Sequence, residues 1–163
     1  MTRSIGSVLL VAAALSGAGC GSPANVAGDY AVNLTNKDNG CAFPNWTVGQ
    51  MTSNIAMTIV QSGSDVTATV GGLGGAFLVA VLGSASFTGT ASGNSIDLTL
   101  FGTRNATQGS CSYTVNAEID GQIGGDLLEG TIDYKTATNG SPDCGALQGC
   151  ASEQAFNGTR PPT

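Results

Sequence analysis

The sequence predicts an all-β domain, folded as a single up-and-down antiparallel β-barrel of about eight strands, with a two-sheet β-sandwich as the alternative. First, apolar residues alternate with Thr, Ser, Asn, Asp or Glu along most of the chain after residue 27. This alternation is typical of strands with one dry and one wet face. Second, turn sequences such as Ser62-Gly63-Ser64-Asp65 and Ala91-Ser92-Gly93-Asn94 separate the alternating runs. Closing such a meander into a barrel removes its exposed sheet edges.

The predicted strands each place one set of small or apolar residues on the inward phase. In chain order these sets are Gly28-Tyr30-Val32-Leu34, Ile55-Met57-Ile59, Val66-Ala68-Val70, Ala85-Phe87-Gly89, Ile96-Leu98-Leu100, Tyr113-Val115-Ala117-Ile119 and Leu128-Gly130-Ile132-Tyr134, and a last short strand is expected around Gln154-Ala155-Phe156-Asn157. Residues 76–82 are apolar on both phases, so they could extend the fourth strand or form a short helix that plugs one end.

A Gly-Thr pair recurs in the predicted strands, at Gly89-Thr90, Gly102-Thr103, Gly130-Thr131 and Gly158-Thr159. Glycine on the inward phase permits the sharp strand bending that a small closed barrel requires. The alternative is that such pairs are simply common in a β protein rich in glycine and threonine.

Composition narrows the function classes. The 163 residues carry a net charge of −6 and include no histidine. An acidic chain lacks the basic footprint of a nucleic-acid binder, and Ser-His-Asp or Cys-His catalysis is impossible without histidine. Glu118, Asp120, Asp126 and Glu129 gather on one predicted hairpin, where a solvated acidic face is the simpler interpretation. We therefore expect no enzyme, no cofactor and no metal site.

The first residues have the organisation of a secretory signal. Arg3 precedes an apolar run over residues 8–15, and the segment Leu15-Ser16-Gly17-Ala18-Gly19-Cys20 resembles the lipobox of bacterial lipoproteins. The resemblance implies that residues 1–19 are removed and that Cys20 is acylated, so that the lipid bilayer is a partner. Residues 20–27 would form a tether and residues 28–163 the barrel. Gly21, in place of a retaining aspartate, favours the outer membrane of the bacterial cell envelope.

The odd number of cysteines supports lipidation of Cys20 over the alternative of an ordinary secretory signal. The chain has five cysteines, and assigning Cys20 to lipid leaves an even set of four. In an oxidising envelope these four, Cys41, Cys111, Cys144 and Cys150, should form two disulfides. Among the three possible connectivities we expect Cys144–Cys150 and Cys41–Cys111.

The start of the first predicted strand, Gly28-Asp29-Tyr30, is similar to the Gly-x-Trp opening of the calycin barrels, the lipocalin and avidin type. Tyrosine stands here in place of tryptophan. The resemblance implies the barrel architecture, and it implies no particular ligand.

Loops alternate between the two ends of a meander, so four long loops should share the end distal to the tether: residues 36–53, 71–75, 103–110 and 136–150. They hold or adjoin all four cysteines and the candidate ligand-binding residues Trp46, Lys37, Arg104 and Lys135. Long loops gathered at one end of a barrel commonly form a binding site. The leading hypothesis is a lipoprotein that binds a small polar or anionic ligand or a glycan there. The alternatives are a structural envelope lipoprotein or a protein inhibitor, with Trp46 serving only to pack the loop.

Overall fold

The strands of the computed structural model, which describes residues 22–161, are all antiparallel to their neighbours. The proposed signal of residues 1–19 and the lipidation site Cys20 lie outside the described residues. The strands are β1 (Gly28–Asn39), β2 (Met51–Ser62), β3 (Asp65–Val70), β4 (Ser86–Ser92), β5 (Ser95–Leu100), β6 (Ala106–Gln108), β7 (Cys111–Gly124), β8 (Leu127–Thr138) and β9 (Ala151–Thr159). An α-helix, α1 (Gly72–Val81), joins β3 to β4, and a 3₁₀ helix (Pro142–Leu147) precedes β9.

The strands close into an eight-stranded barrel, which confirms the predicted fold over the sandwich. Each of β1 to β5 pairs with the next, β5 pairs with β7, β7 with β8, β8 with β9, and β9 with β1. The short strand β6 stands outside this ring and pairs only with the first residues of β7. The long loops therefore do share one end, because every strand in the ring reverses direction. We call the end where β1 begins proximal and the opposite end distal.

The proximal half of the barrel is filled. Tyr30, Ile96 and Leu128, all on predicted inward phases, are buried there. The segment before β1 closes this end: the backbone N–H of Ala24 donates to the carbonyl of Gly93, and the side chain of Val26 is 0% exposed. Residues 24–27, which the sequence placed in the tether, therefore pack against the barrel.

Two of the recurring glycines stand where neighbouring strands approach too closely for a side chain. A Cβ atom on Gly89 would lie 2.0 Å from the carbonyl oxygen of Asp97, and one on Gly130 would lie 2.0 Å from that of Asp120. No side chain fits at such distances. Glycine at these two positions therefore allows the close approach of β4 to β5 and of β8 to β7.

All four cysteines of the barrel are paired at the distal end, but the expected connectivity is wrong. The disulfides are Cys41–Cys150 and Cys111–Cys144, with Cα–Cα distances of 5.0 and 4.9 Å. The reason is barrel closure. Because β9 pairs with β1, Cys150 just before β9 meets Cys41 just after β1, whereas Cys144 lies beside the start of β7 and meets Cys111.

Candidate functional site

An apolar cavity of about 350 Å³ occupies the distal half of the barrel. Phe87, Ile119 and Phe156 belong to its lining, on the inward faces of β4, β7 and β9. No charged side chain within residues 22–161 lines it. Protein interiors are normally packed without voids of this size. The cavity is therefore the candidate ligand-binding site of this fold.

Helix α1 forms the roof on one side of the cavity. Residues 76–82, whose structure the sequence left open, are helical except for the last, Leu82, which is the C-cap. Close packing depends on glycine: a Cβ on Gly75 would lie 2.2 Å from the carbonyl oxygen of Val70. The helix can therefore rest directly on the end of β3, with Leu78 turned into the barrel.

The same helix exposes large apolar side chains at the mouth of the cavity. Leu73 is 91% exposed and Phe77 is 64% exposed, yet both line the cavity. No residue of α1 carries a charge. Continuous apolar surface thus leads from solvent past Leu73 and Phe77 into the barrel, and it offers a path along which an apolar molecule could enter. Neither helix within residues 22–161 is long and apolar enough to cross a membrane.

The loop between β1 and β2 packs against Tyr134, a residue of the cavity wall. Trp46 stacks edge-on against Tyr134, with ring centroids 5.9 Å apart, and its ring lies 6.2 Å from that of Phe43. The indole N–H donates to the carbonyl of Lys37 at 3.0 Å. Trp46 therefore packs the loop against a tyrosine of the cavity wall, and it does not itself line the cavity.

A hydrogen-bonded pair gives the cavity one polar side. The hydroxyl of Tyr134 donates to Oε1 of Gln154 at 2.8 Å, and both residues line the cavity. The amide nitrogen of Gln154 in turn donates to Oδ1 of Asn36 at 2.7 Å. Burial raises the pKa of Tyr134, so the hydroxyl keeps its proton throughout the physiological range. Thr52 at the mouth is the other polar residue of the lining.

The three basic candidates lie in the distal half of the molecule but do not converge. Lys37 is exposed on β1, and Arg104 is exposed after β5, the strand that stands opposite β1 in the ring. Lys135 points outward from β8, and its Nζ lies 2.5 Å from a carboxylate oxygen of Glu118 on β7. That ion pair holds the pKa of Lys135 above its usual value. None of the three lines the cavity.

Acidic side chains lie on the outer wall, as the predicted phases require. Asp120 and Asp97 are opposite one another on β7 and β5, and a hydrogen bond between their carboxyl groups raises the pKa of Asp120. No group of three or more His, Cys, Asp or Glu side chains in the described part of the chain is placed to hold a metal ion.

Sequence reasoning missed the residues that distinguish this cavity, Leu73, Phe77 and Gln154. Gln154 shares the inward phase of Phe156, so a polar residue aimed into the barrel was visible in the alternation. Leu73 and Phe77 gave no such signal, because their role depends on where the helix settles.

No protein-family model, no curated protein and no solved structure matches this chain. The class of protein is therefore defined by its fold and its cavity. It is a disulfide-braced, up-and-down β-barrel with an apolar cavity beneath a helix at one end.

Proposed function

We propose that this protein is a membrane-anchored extracytoplasmic lipoprotein whose barrel binds a small apolar molecule in the distal cavity. The observation that carries the binding function is the cavity of about 350 Å³ with its apolar lining. That volume falls in the range of small-molecule sites, about 300–1,000 Å³. A molecule that fills it would restore the packing contacts that an empty interior forgoes.

The chemistry of the cavity favours an apolar ligand over the polar or anionic one that the basic residues suggested. No cationic side chain among residues 22–161 lines the cavity, so an anion there would stay unpaired, and burying an unpaired charge is costly. The unfilled interior also favours a binding protein over a purely structural lipoprotein, which would be expected to fill its core. The proposed function is binding, without catalysis.

The lipobox-like segment ending at Cys20 supports the anchored, cell-envelope part of the proposal, and the Gly28-Asp29-Tyr30 opening supports a likeness to calycin barrels. The Cys20→Ala variant should carry no acyl mass, and its mature chain, which lacks residues 1–19, should leave the membrane fraction. Membrane association of that mature Cys20→Ala chain, or wild-type protein without acyl mass, would contradict the anchor while leaving the cavity proposal intact.

The binding function can be tested with the neutral fluorophore N-phenyl-1-naphthylamine, whose emission rises in apolar surroundings. The mature Cys20→Ala chain, without residues 1–19, is suited to this titration because it has neither signal nor lipid and needs no detergent. We expect saturable binding of one fluorophore per chain. Trp46 is the only tryptophan and contacts a residue of the cavity wall, so energy transfer from Trp46 provides a second readout.

A matched pair of variants locates the binding site. Phe77 lines the cavity and Phe101 does not, although both are exposed phenylalanines, 64% and 72% respectively. Phe77→Gln should weaken fluorophore binding about fivefold by removing apolar contact, whereas Phe101→Gln should leave it unchanged. Equal effects of the two substitutions, or no saturable binding by wild type, would overturn the proposal.

A further inference from the structure

The polar pair in the cavity wall narrows the class of ligand, given the proposed function. Tyr134 and Gln154 face the cavity from neighbouring strands, β8 and β9, which pair in register with Ile132 opposite Gln154. Apart from Thr52 at the mouth, every other residue of the lining is apolar or glycine. Hydrogen-bonding capacity inside the barrel is thus confined to one place.

The hydrogen bonds that Tyr134 and Gln154 already make show which of their donors and acceptors remain available. The Tyr134 hydroxyl uses its proton on Oε1 of Gln154 at 2.8 Å, so its oxygen lone pairs remain available to accept. The Gln154 amide has two N–H groups, of which one donates to Asn36 at 2.7 Å. Beyond its own hydrogen bonds the pair therefore retains an acceptor on Tyr134 and a donor on Gln154, and both residues line the cavity.

We infer that the ligand is a neutral amphiphile, an apolar chain or ring system that carries a single hydroxyl group against Tyr134 and Gln154. A hydroxyl both donates and accepts, so it can donate to the tyrosine oxygen and accept from the glutamine amide. A carboxylate only accepts, and the remaining tyrosine lone pairs would face its charge. Within the described part of the chain no charged residue lines the cavity, which adds to the discrimination against a carboxylate.

Three ten-carbon probes separate these chemistries by displacing N-phenyl-1-naphthylamine: 1-decanol, 1-chlorodecane and decanoate at pH 8. Wild type should bind decanol at least about tenfold more tightly than decanoate, because an unpaired charge is costly to bury. Tyr134→Phe should weaken decanol about fivefold relative to its effect on chlorodecane, the size expected for one neutral hydrogen bond.

Tyr113→Phe is the matched control, since Tyr113 is a partly buried tyrosine that packs on the core without lining the cavity. It should leave the decanol-to-chlorodecane ratio unchanged. Gln154→Leu should lower the ratio of the affinity for decanol to that for chlorodecane, as Tyr134→Phe does. It replaces Tyr134→Phe in the test if the tyrosine variant fails to fold. A purely structural role for the pair would weaken all three probes together and leave the ratio constant.

Two results would overturn the inference alone: decanoate binding as tightly as decanol, or a ratio that neither Tyr134→Phe nor Gln154→Leu changes. In both cases the fluorophore still binds, so the proposed function survives. Failure of wild type to bind the fluorophore at all would overturn both.

Discussion

Cys41 and Cys150 are joined by a disulfide that fastens the distal end of the seam between β1 and β9. These are the first and last strands of the barrel, so this bond closes the ring covalently where its two ends meet. The backbone N–H of Cys41 also donates to the hydroxyl of Ser152 at 3.1 Å, within β9. These two contacts hold the start of β9 beside Tyr134 on β8, because Ser152 and Tyr134 are paired residues of the two strands.

Removing the seam disulfide should destabilise the barrel more than removing the other one. The bonds span 109 and 33 residues for Cys41–Cys150 and Cys111–Cys144. The chain-entropy model gives stabilisation of about 5 and about 4 kcal/mol respectively. Urea unfolding of the two double alanine variants, after non-reducing peptide mapping of wild type, measures this order. Mapping that joined Cys144 to Cys150 would contradict the structure.

Gly89 and Gly130, where neighbouring strands approach closely, should tolerate no side chain. Gly89→Ala would place a methyl group against the Asp97 carbonyl, and we expect a loss of about 1–3 kcal/mol in the free energy of unfolding. Gly124→Ala is the control, because a Cβ there meets nothing within 4 Å. It should change stability by less than about 0.5 kcal/mol. Equal stabilities of the two variants would show that the approach of β4 to β5 is not tight.

The strands and the sharing of one end by the long loops followed from the sequence because both depend on local patterns. Alternation fixes which residues face inward, and each tight turn reverses the chain. The disulfide pairing did not follow, because it depends on which strands meet when the ring closes. Cys144 and Cys150 are close in sequence but lie beside different strands, β7 and β1.

The cavity could not be predicted because its size is the volume enclosed by the barrel minus the volume of the inward side chains. Tyr30, Phe87, Tyr134 and Phe156 all point inward as expected, and by count they could have filled a small barrel. The space that remains depends on barrel diameter and on the position of α1. Helix and strand are also indistinguishable in a segment that is apolar on both phases, so the location of α1 is set by tertiary packing.

Arg160 ties three segments together at the proximal end. Its guanidinium donates to the carbonyls of Asn25 at 3.2 Å, Ala27 at 2.9 Å and Gly125 at 2.9 Å. Its central carbon lies 5.7 Å from the ring centroid of Tyr30, within the range of a cation–π contact. The segment that closes the barrel floor is thus held by a residue just after β9.

Arg160→Met should therefore lower the free energy of unfolding by about 1–3 kcal/mol, since it leaves carbonyl groups without a donor. Arg104→Met is the control, because the exposed Arg104 side chain makes no hydrogen bond in the described structure, and it should cost less than about 0.5 kcal/mol. Chemical denaturation at fixed pH compares them. An Arg160→Met variant as stable as wild type would mean that the packing of residues 24–27 against the barrel does not depend on Arg160.

Asp143 should make stability depend on pH. Its carboxylate accepts hydrogen bonds from the backbone N–H of Ser110 at 2.8 Å and from the Ser110 hydroxyl at 2.7 Å, and these hold its pKa below the usual value. A depressed carboxyl pKa stabilises the folded state above the unfolded pKa. This contribution is lost as pH falls through the folded pKa.

Asp143→Asn should consequently lower the melting temperature at neutral pH, because the charge-assisted bonds weaken. The difference from wild type should vanish once the pH is below the folded pKa of Asp143. Asp65→Asn, which removes the same charge at the proximal end, is the control. A difference that persists unchanged at acidic pH would assign the effect to something other than the carboxylate charge.

The final prediction concerns the basic residues of the distal half. Replacing them tests whether the ligand is apolar or anionic. Lys37→Gln, Arg104→Gln and Lys135→Gln together remove positive charge without touching the cavity lining. Binding of the neutral fluorophore should stay within about twofold of wild type, since exposed substitutions usually change free energies by less than about 0.5 kcal/mol.

Stability should fall little in the same triple variant, because the partly exposed Lys135–Glu118 pair is the only ion pair it breaks among the described residues. Such surface pairs contribute about 0–1 kcal/mol. Titration of the fluorophore at low and high salt measures the effect. A tenfold or greater loss of affinity that high salt reproduces in wild type would instead assign binding to these basic residues.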